Sequence, residues 1–129
     1  MANKKQRSQG VAVSRATTKA VRIDAVGCNG GAPSASAFCV SGHVDGLTSG
    51  SGYSVVFEIV NQNAGDPAYD CTESTPVNMN ANPPTWSFGP GAINPLDAAE
   101  AVDLTATLYM NGAPVDPSGA DSREFTLNP

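Results

Sequence analysis

The sequence predicts an all-β chain, built as an antiparallel sandwich or barrel, and three observations predict it. Apolar residues recur at every second position through successive short stretches from residue 20 onward. The 13 glycines and 10 prolines punctuate the chain between those stretches, which favours strands and turns over long helices. Asn111-Gly112 follows the longest alternating run, where a two-residue hairpin turn needs two positive φ angles. A length of 129 residues fits one domain of ordinary size.

The elements follow in order. "AVRIDAV" puts Val21, Ile23 and Ala25 on one face and Arg22 and Asp24 on the other. "AFCVSGHVDG" sets Phe38, Val40 and Val44 inward, with Cys39, Ser41, His43 and Asp45 outward. "YSVVFEIV" turns Val55, Phe57 and Ile59 in, opposite Ser54, Val56, Glu58 and Val60. "TWSF" pairs Trp86 with Phe88, and "REFTL" pairs Phe125 with Leu127. "AVDLTATLYM" alternates longest, with Val102, Leu104, Ala106 and Leu108 inside. Such alternation marks strands with one buried and one wet face. The turns are "SGSG" at 49–52, "NQNAGDP" at 61–67 and "NANPP" at 80–84. A longer connection, "FGPGAINPLDAAE" at 88–100, is expected to carry one helical turn at 95–100.

Charge is partitioned along the chain. Lys4, Lys5, Arg7, Arg15, Lys19 and Arg22 all precede Asp24, the first acidic residue. The remainder holds Arg123 against all twelve acidic side chains. A uniformly solvated surface would not sort charge in this way. Residues 1–19 are polar and basic, with no aromatic residue and no sustained apolar period. They read as a flexible basic arm that orders on a partner, and residues 20–129 read as the folded body.

The first residues supply cations, but "VAVSRATTKAV" is interrupted by Arg15 and Lys19 and lacks the apolar core of a secretory leader. No apolar run approaches membrane-spanning length. The expectation is a product released in the cytoplasm. Cys28, Cys39 and Cys71 make an odd count, read in that compartment as three small reduced thiols. An oxidising environment would allow Cys28–Cys39 between adjacent strands or Cys39–Cys71 across the domain.

Val40-Ser41-Gly42-His43-Val44, Val55-Val56-Phe57-Glu58-Ile59, Trp86-Ser87-Phe88 and the run from Leu104 to Gly112 follow one another along the body. This order resembles bacterial and phage immunoglobulin-like modules over roughly residues 20–128. There a V-x-G-x-V strand precedes a V-x-V-x-I strand, a W-x-F strand and an alternating strand closed by a tight turn. Trp86 follows all three cysteines, so the Cys…Trp…Cys framework of antibody domains is not matched. The resemblance implies an immunoglobulin-like antiparallel β-sandwich. Modules of this class mostly adhere, space or decorate, and the fold alone does not decide among these roles.

Candidate chemistry is sparse. His43 is the only histidine, and Ser41 and Asp45 flank it two residues away on one strand face. Strand rise sets such neighbours roughly 7 Å apart, which reads as too far for direct hydrogen bonds. No serine sits in a G-x-S-x-G elbow. The three cysteines and His43 have no C-x-x-C pair and fit no common zinc spacing. "NQNAGDPAYDCTE" offers Asn61, Asn63, Asp66, Asp70 and Glu73 as hard oxygen ligands for calcium, or simply a solvated turn. Nothing singles out a pair of carboxylates for glycosidase work. Tyr53, Tyr69, Tyr109 and Trp86 could stack on a sugar, although Trp86 shares its face with Phe88 and reads as core.

The sequence therefore predicts no catalytic residue, no cofactor and no metal. The basic arm joined to a module of the class resembled implies a non-enzymatic virion protein: a phage capsid decoration or minor virion protein assembled in the host cytoplasm. Lys4, Lys5, Arg7, Arg15, Lys19 and Arg22 would contact acidic surfaces of capsid subunits, or a sister copy. The stretch "GVAVS" could add as a strand to a neighbouring sheet edge. Nucleic acid could be met only through the arm, which lacks aromatics for base stacking. The competing reading is a cell-surface or extracellular adhesive or carbohydrate-binding module that uses loops 46–52 and 111–121.

Overall fold

A computed structural model describes residues 18–63, 65 and 68–129. Among these residues the chain forms nine strands, one 3-10 turn at Cys28–Gly30 and no α-helix. The strands are β1 (Lys19–Val26), β2 (Phe38–Asp45), β3 (Tyr53–Asn61), β4 (Asp70–Asn78) and β5 (Thr85–Gly91). They continue with β6 (Glu100–Met110), β7 (Ala113–Pro114), β8 (Ser118–Gly119) and β9 (Asp121–Leu127). The hydrogen-bonded order is β9-β6-β3-β4-β5-β2-β1-β8, with β7 added to β6. The fold is all-β, a single curled sheet.

The curl brings β9-β6-β3-β4 over β5-β2-β1 with one core between them. Val21, Phe38, Val44, Val55, Phe57, Ile59, Val102, Leu104, Leu108 and Leu127 are fully enclosed there. Four phenylalanines link the two halves. Phe57 meets Phe88 edge-on at 5.2 Å between centroids, and Phe38 lies 6.0 Å from Phe57 and 6.1 Å from Phe125. Offset and edge-on pairs of this kind add about 0.5–1.5 kcal/mol beyond their buried area.

The alternation read from β2, β3 and β6 is the alternation found, with every second residue buried along each. Trp86 is buried and Phe88 packs beside it, half-buried. The β6–β7 hairpin turns on Asn111 (φ 53°) and Gly112 (φ 86°), with Met110 paired to Ala113.

Four expectations need correction. Ala25 is exposed, because a bulge between Ile23 and Ala25 inserts Asp24 and flips the face, so Val26 turns inward instead. Residues 95–99 form a loop bent at 97–98 without a helical turn, and Glu100 already belongs to β6. Asp70–Asn78, of which Asp70–Glu73 was read as part of a turn, is a full strand paired to β3 from Ser54↔Pro76 to Val60↔Asp70. Its inward row is Cys71, Glu73, Thr75 and Val77, too polar to show as alternation. Finally, Cys28 and Cys39 are bridged, with Cα atoms 5.0 Å apart, while Cys71 is a buried free thiol.

The curled sheet has two seams, and side chains lace both. At the β4/β5 seam only Val77 and Asn78 pair with β5, and the Thr75 hydroxyl donates to the Ser87 carbonyl at 2.5 Å. At the β1/β9 seam the Ile23 amide donates to Asp121 Oδ2 at 2.8 Å, and Arg123 Nη2 donates to the Ile23 carbonyl at 2.7 Å. The chain end is tied alongside, with the Ala35 amide donating to the Asn128 carbonyl at 2.7 Å.

Candidate functional site

Of the six cations assigned to partner binding, Lys4, Lys5, Arg7 and Arg15 lie outside the described residues. Lys19, read as the end of the arm, opens β1, and Arg22 stands within it. Lys19 and Ala20 pair in parallel with Ser118 and Gly119 of β8. Thr18 passes so close to Gly46 that a Cβ there would stand 2.5 Å from the Thr18 carbonyl oxygen.

Arg22 faces solvent but has a partner of its own. Its Nε donates to Asp45 Oδ2 at 3.0 Å. The pair is about half exposed, and such surface pairs contribute only about 0–1 kcal/mol. His43 completes the cluster. Its Nδ1 lies 2.9 Å from Asp24 Oδ2, and its Nε2 lies 3.4 Å from Asp45 Oδ1. Sequence spacing suggested that Asp45 was out of reach, but side chains two apart on a twisted strand lean together. It missed Asp24 altogether, because the bulge that turns Asp24 toward His43 leaves no mark in the pattern. Both ring nitrogens lie beside carboxylates, and Asp45 is shared between His43 and Arg22.

The acidic turn is held by its own amides. Asn61 Oδ1 accepts from the Tyr69 amide at 3.0 Å, and Asn63 Oδ1 accepts from the Gly65 amide at 3.1 Å. Asp70 and Glu73 belong to β4, and Asp66 lies outside the described residues. Among the described residues no three His, Cys, Asp or Glu side chains converge as metal ligands. Two of the four aromatics read as a sugar-stacking set are buried. Trp86 is buried and donates to the His43 carbonyl at 3.3 Å, and Tyr69 is buried with its hydroxyl donating to the Asn94 carbonyl at 2.7 Å. Burial pushes the Tyr69 phenol up to about 12, with the neighbouring Cys71 adding to the shift, and burial likewise raises the Cys71 thiol.

The outer face of β9-β6-β3-β4 is polar and carries no cation among its described outward residues. The register sets Asp103 directly opposite Glu124 and also beside Val60, whose other neighbour is Asp70. Asp103 accepts from Gln62 Nε2 at 3.1 Å. Like charges directly opposed on adjacent strands disfavour the sheet slightly. No described helix is long and apolar enough to cross a membrane. Comparison with family models, curated proteins and solved structures finds no match to this chain.

Proposed function

We propose that this chain is a non-enzymatic structural protein, a phage capsid decoration or minor virion protein in which the basic N-terminal arm anchors an immunoglobulin-like β-sandwich to the shell. The observation that carries the reading is where the cations are used. Arg22 is held by Asp45 and Arg123 by the Ile23 carbonyl, both within the body. Lys4, Lys5, Arg7 and Arg15 precede β1 and belong to the arm. In this reading the β body folds without those four. They remain for charge-assisted contacts with an acidic protein surface.

The reading is tested by co-sedimentation of the full chain with empty phage capsid shells. Binding should weaken steeply between about 50 and 500 mM salt, as the screening length shrinks from roughly 14 to 4 Å. Binding that ignores salt contradicts the anchoring role. Glycan binding that persists at high salt would favour the adhesive alternative.

A further inference from the structure

The loop between β1 and β2 carries the Cys28–Cys39 disulfide at its base and grips the end of the chain with its far side. The Ala35 amide donates to the Asn128 carbonyl at 2.7 Å, and the Asn128 amide donates to the Pro33 carbonyl at 3.0 Å. Asn128 Nδ2 donates to the same Pro33 carbonyl at 3.1 Å, and the Ser34 hydroxyl donates to a backbone oxygen of Pro129 at 2.8 Å. The Ala35 carbonyl accepts from the Ile93 amide at 2.9 Å. Three segments distant in sequence therefore meet at residues 33–35.

Little else holds this loop. Ala35 is the one buried residue between Asn29 and Ala37, and an alanine's burial repays little of the entropy lost on ordering such a segment. At the base, Gly27 (φ 105°) and Gly30 (φ 77°) hold conformations that an untethered glycine leaves readily. β9 is held separately, paired to β6 from Asp121↔Ala106 to Leu127↔Glu100.

We propose that the disulfide is a redox latch on the chain end. Oxidised, it fixes the loop in the shape that grips Asn128 and Pro129. Reduced, it frees the loop and the chain end while the paired strands stay folded. The reductant is a small thiol of the glutathione class. Its thiolate attacks one sulfur of the bridge, a mixed disulfide forms, and a second thiol resolves it. The products are two cysteine thiols and one small-molecule disulfide, with two electrons and two protons passed to the protein. Among the described residues access is open: Cys28 and Cys39 are half-buried and line a groove of about 410 Å³ with Gly30, Ser41 and Gly89. The latch is independent of what the chain binds.

Amide exchange of the full chain, oxidised and then reduced with excess dithiothreitol, tests it. The amides of Gly31, Ala35, Ile93 and Asn128 should be protected at least about a hundredfold in the oxidised chain and exchange within about tenfold of unstructured rates after reduction. Those of Phe57 and Leu104 should stay protected at least about a thousandfold in both states. A chain carrying Cys28→Ser and Cys39→Ser together should show the fast rates without reductant, and Cys71→Ser should respond as the unaltered chain does. Protection kept at the four loop and chain-end amides after complete reduction overturns the proposal. So does loss of protection at Phe57 and Leu104 along with them, which would make the bridge a staple of the whole fold. So does a chain that keeps three free thiols after treatment with oxidised glutathione.

Discussion

Arg123 Nη2 donates to the backbone carbonyl of Ile23 at 2.7 Å across 100 residues of sequence. Asp121 Oδ2 accepts from the amide of the same Ile23 at 2.8 Å, so two side chains of β9 supply the hydrogen bonds a neighbouring strand would have supplied. β1 and β9 are joined without a ladder. Replacing Asp121 with Ala should cost about 1–3 kcal/mol, since a charged acceptor is lost and the Ile23 amide is left unpaired. Urea unfolding followed by fluorescence checks this: the midpoint falls and the slope stays unchanged.

Gly42 packs against the face of Trp86. A Cβ there would run into the Arg22 carbonyl and stand 2.7 Å from the indole ring. Gly42→Ala should therefore destabilise by about 3 kcal/mol, the upper part of the usual range for overpacking a filled core. The drop in melting temperature should exceed that of an alanine at the neighbouring outward residue, Ser41.

Tyr69 is held neutral by burial, with its phenol pushed up to about 12 against an ordinary 10. A folded-state value above the unfolded one stabilises the fold fully below pH 10, and that contribution is lost as pH rises toward 12. Absorbance titration at alkaline pH should show a late tyrosine phase, and Tyr69→Phe should remove it. Cys71, raised in the same direction by burial, should resist thiol reagents until the chain unfolds.

Cys28 and Cys39 close a short loop, 11 residues apart in sequence. Loop-closure entropy assigns such a bridge about 2–3 kcal/mol. Thiol counting in denaturant should find one free cysteine before reduction and three after, and the reduced protein should unfold at lower temperature.

The buried rows of β2, β3 and β6 and the Asn111-Gly112 turn were legible because each follows from a local rule, either period two or two positive φ angles. β4 was not. Its inward row includes Glu73 and Thr75, and a strand paired on both sides of its length tolerates polar inward residues that a pattern reads as loop. The Asp24–His43 contact was hidden for a different reason: it depends on a one-residue bulge, a property of the pairing and not of either strand. The seams closed by Asp121, Arg123 and Thr75 were likewise out of reach, because each joins a side chain to a backbone far away in sequence. The charge partition was plain from the start, but the structure adds that Arg22 already has a partner in the body.

The account rests on the outer cations of the arm doing the holding. Lys4→Glu, Lys5→Glu and Arg7→Glu combined in the full chain test this most directly, with shell binding and thermal unfolding measured on the same sample. The account predicts at least about tenfold weaker binding with an unchanged melting temperature. A charge-reversed chain that decorates shells as well as the original would contradict it.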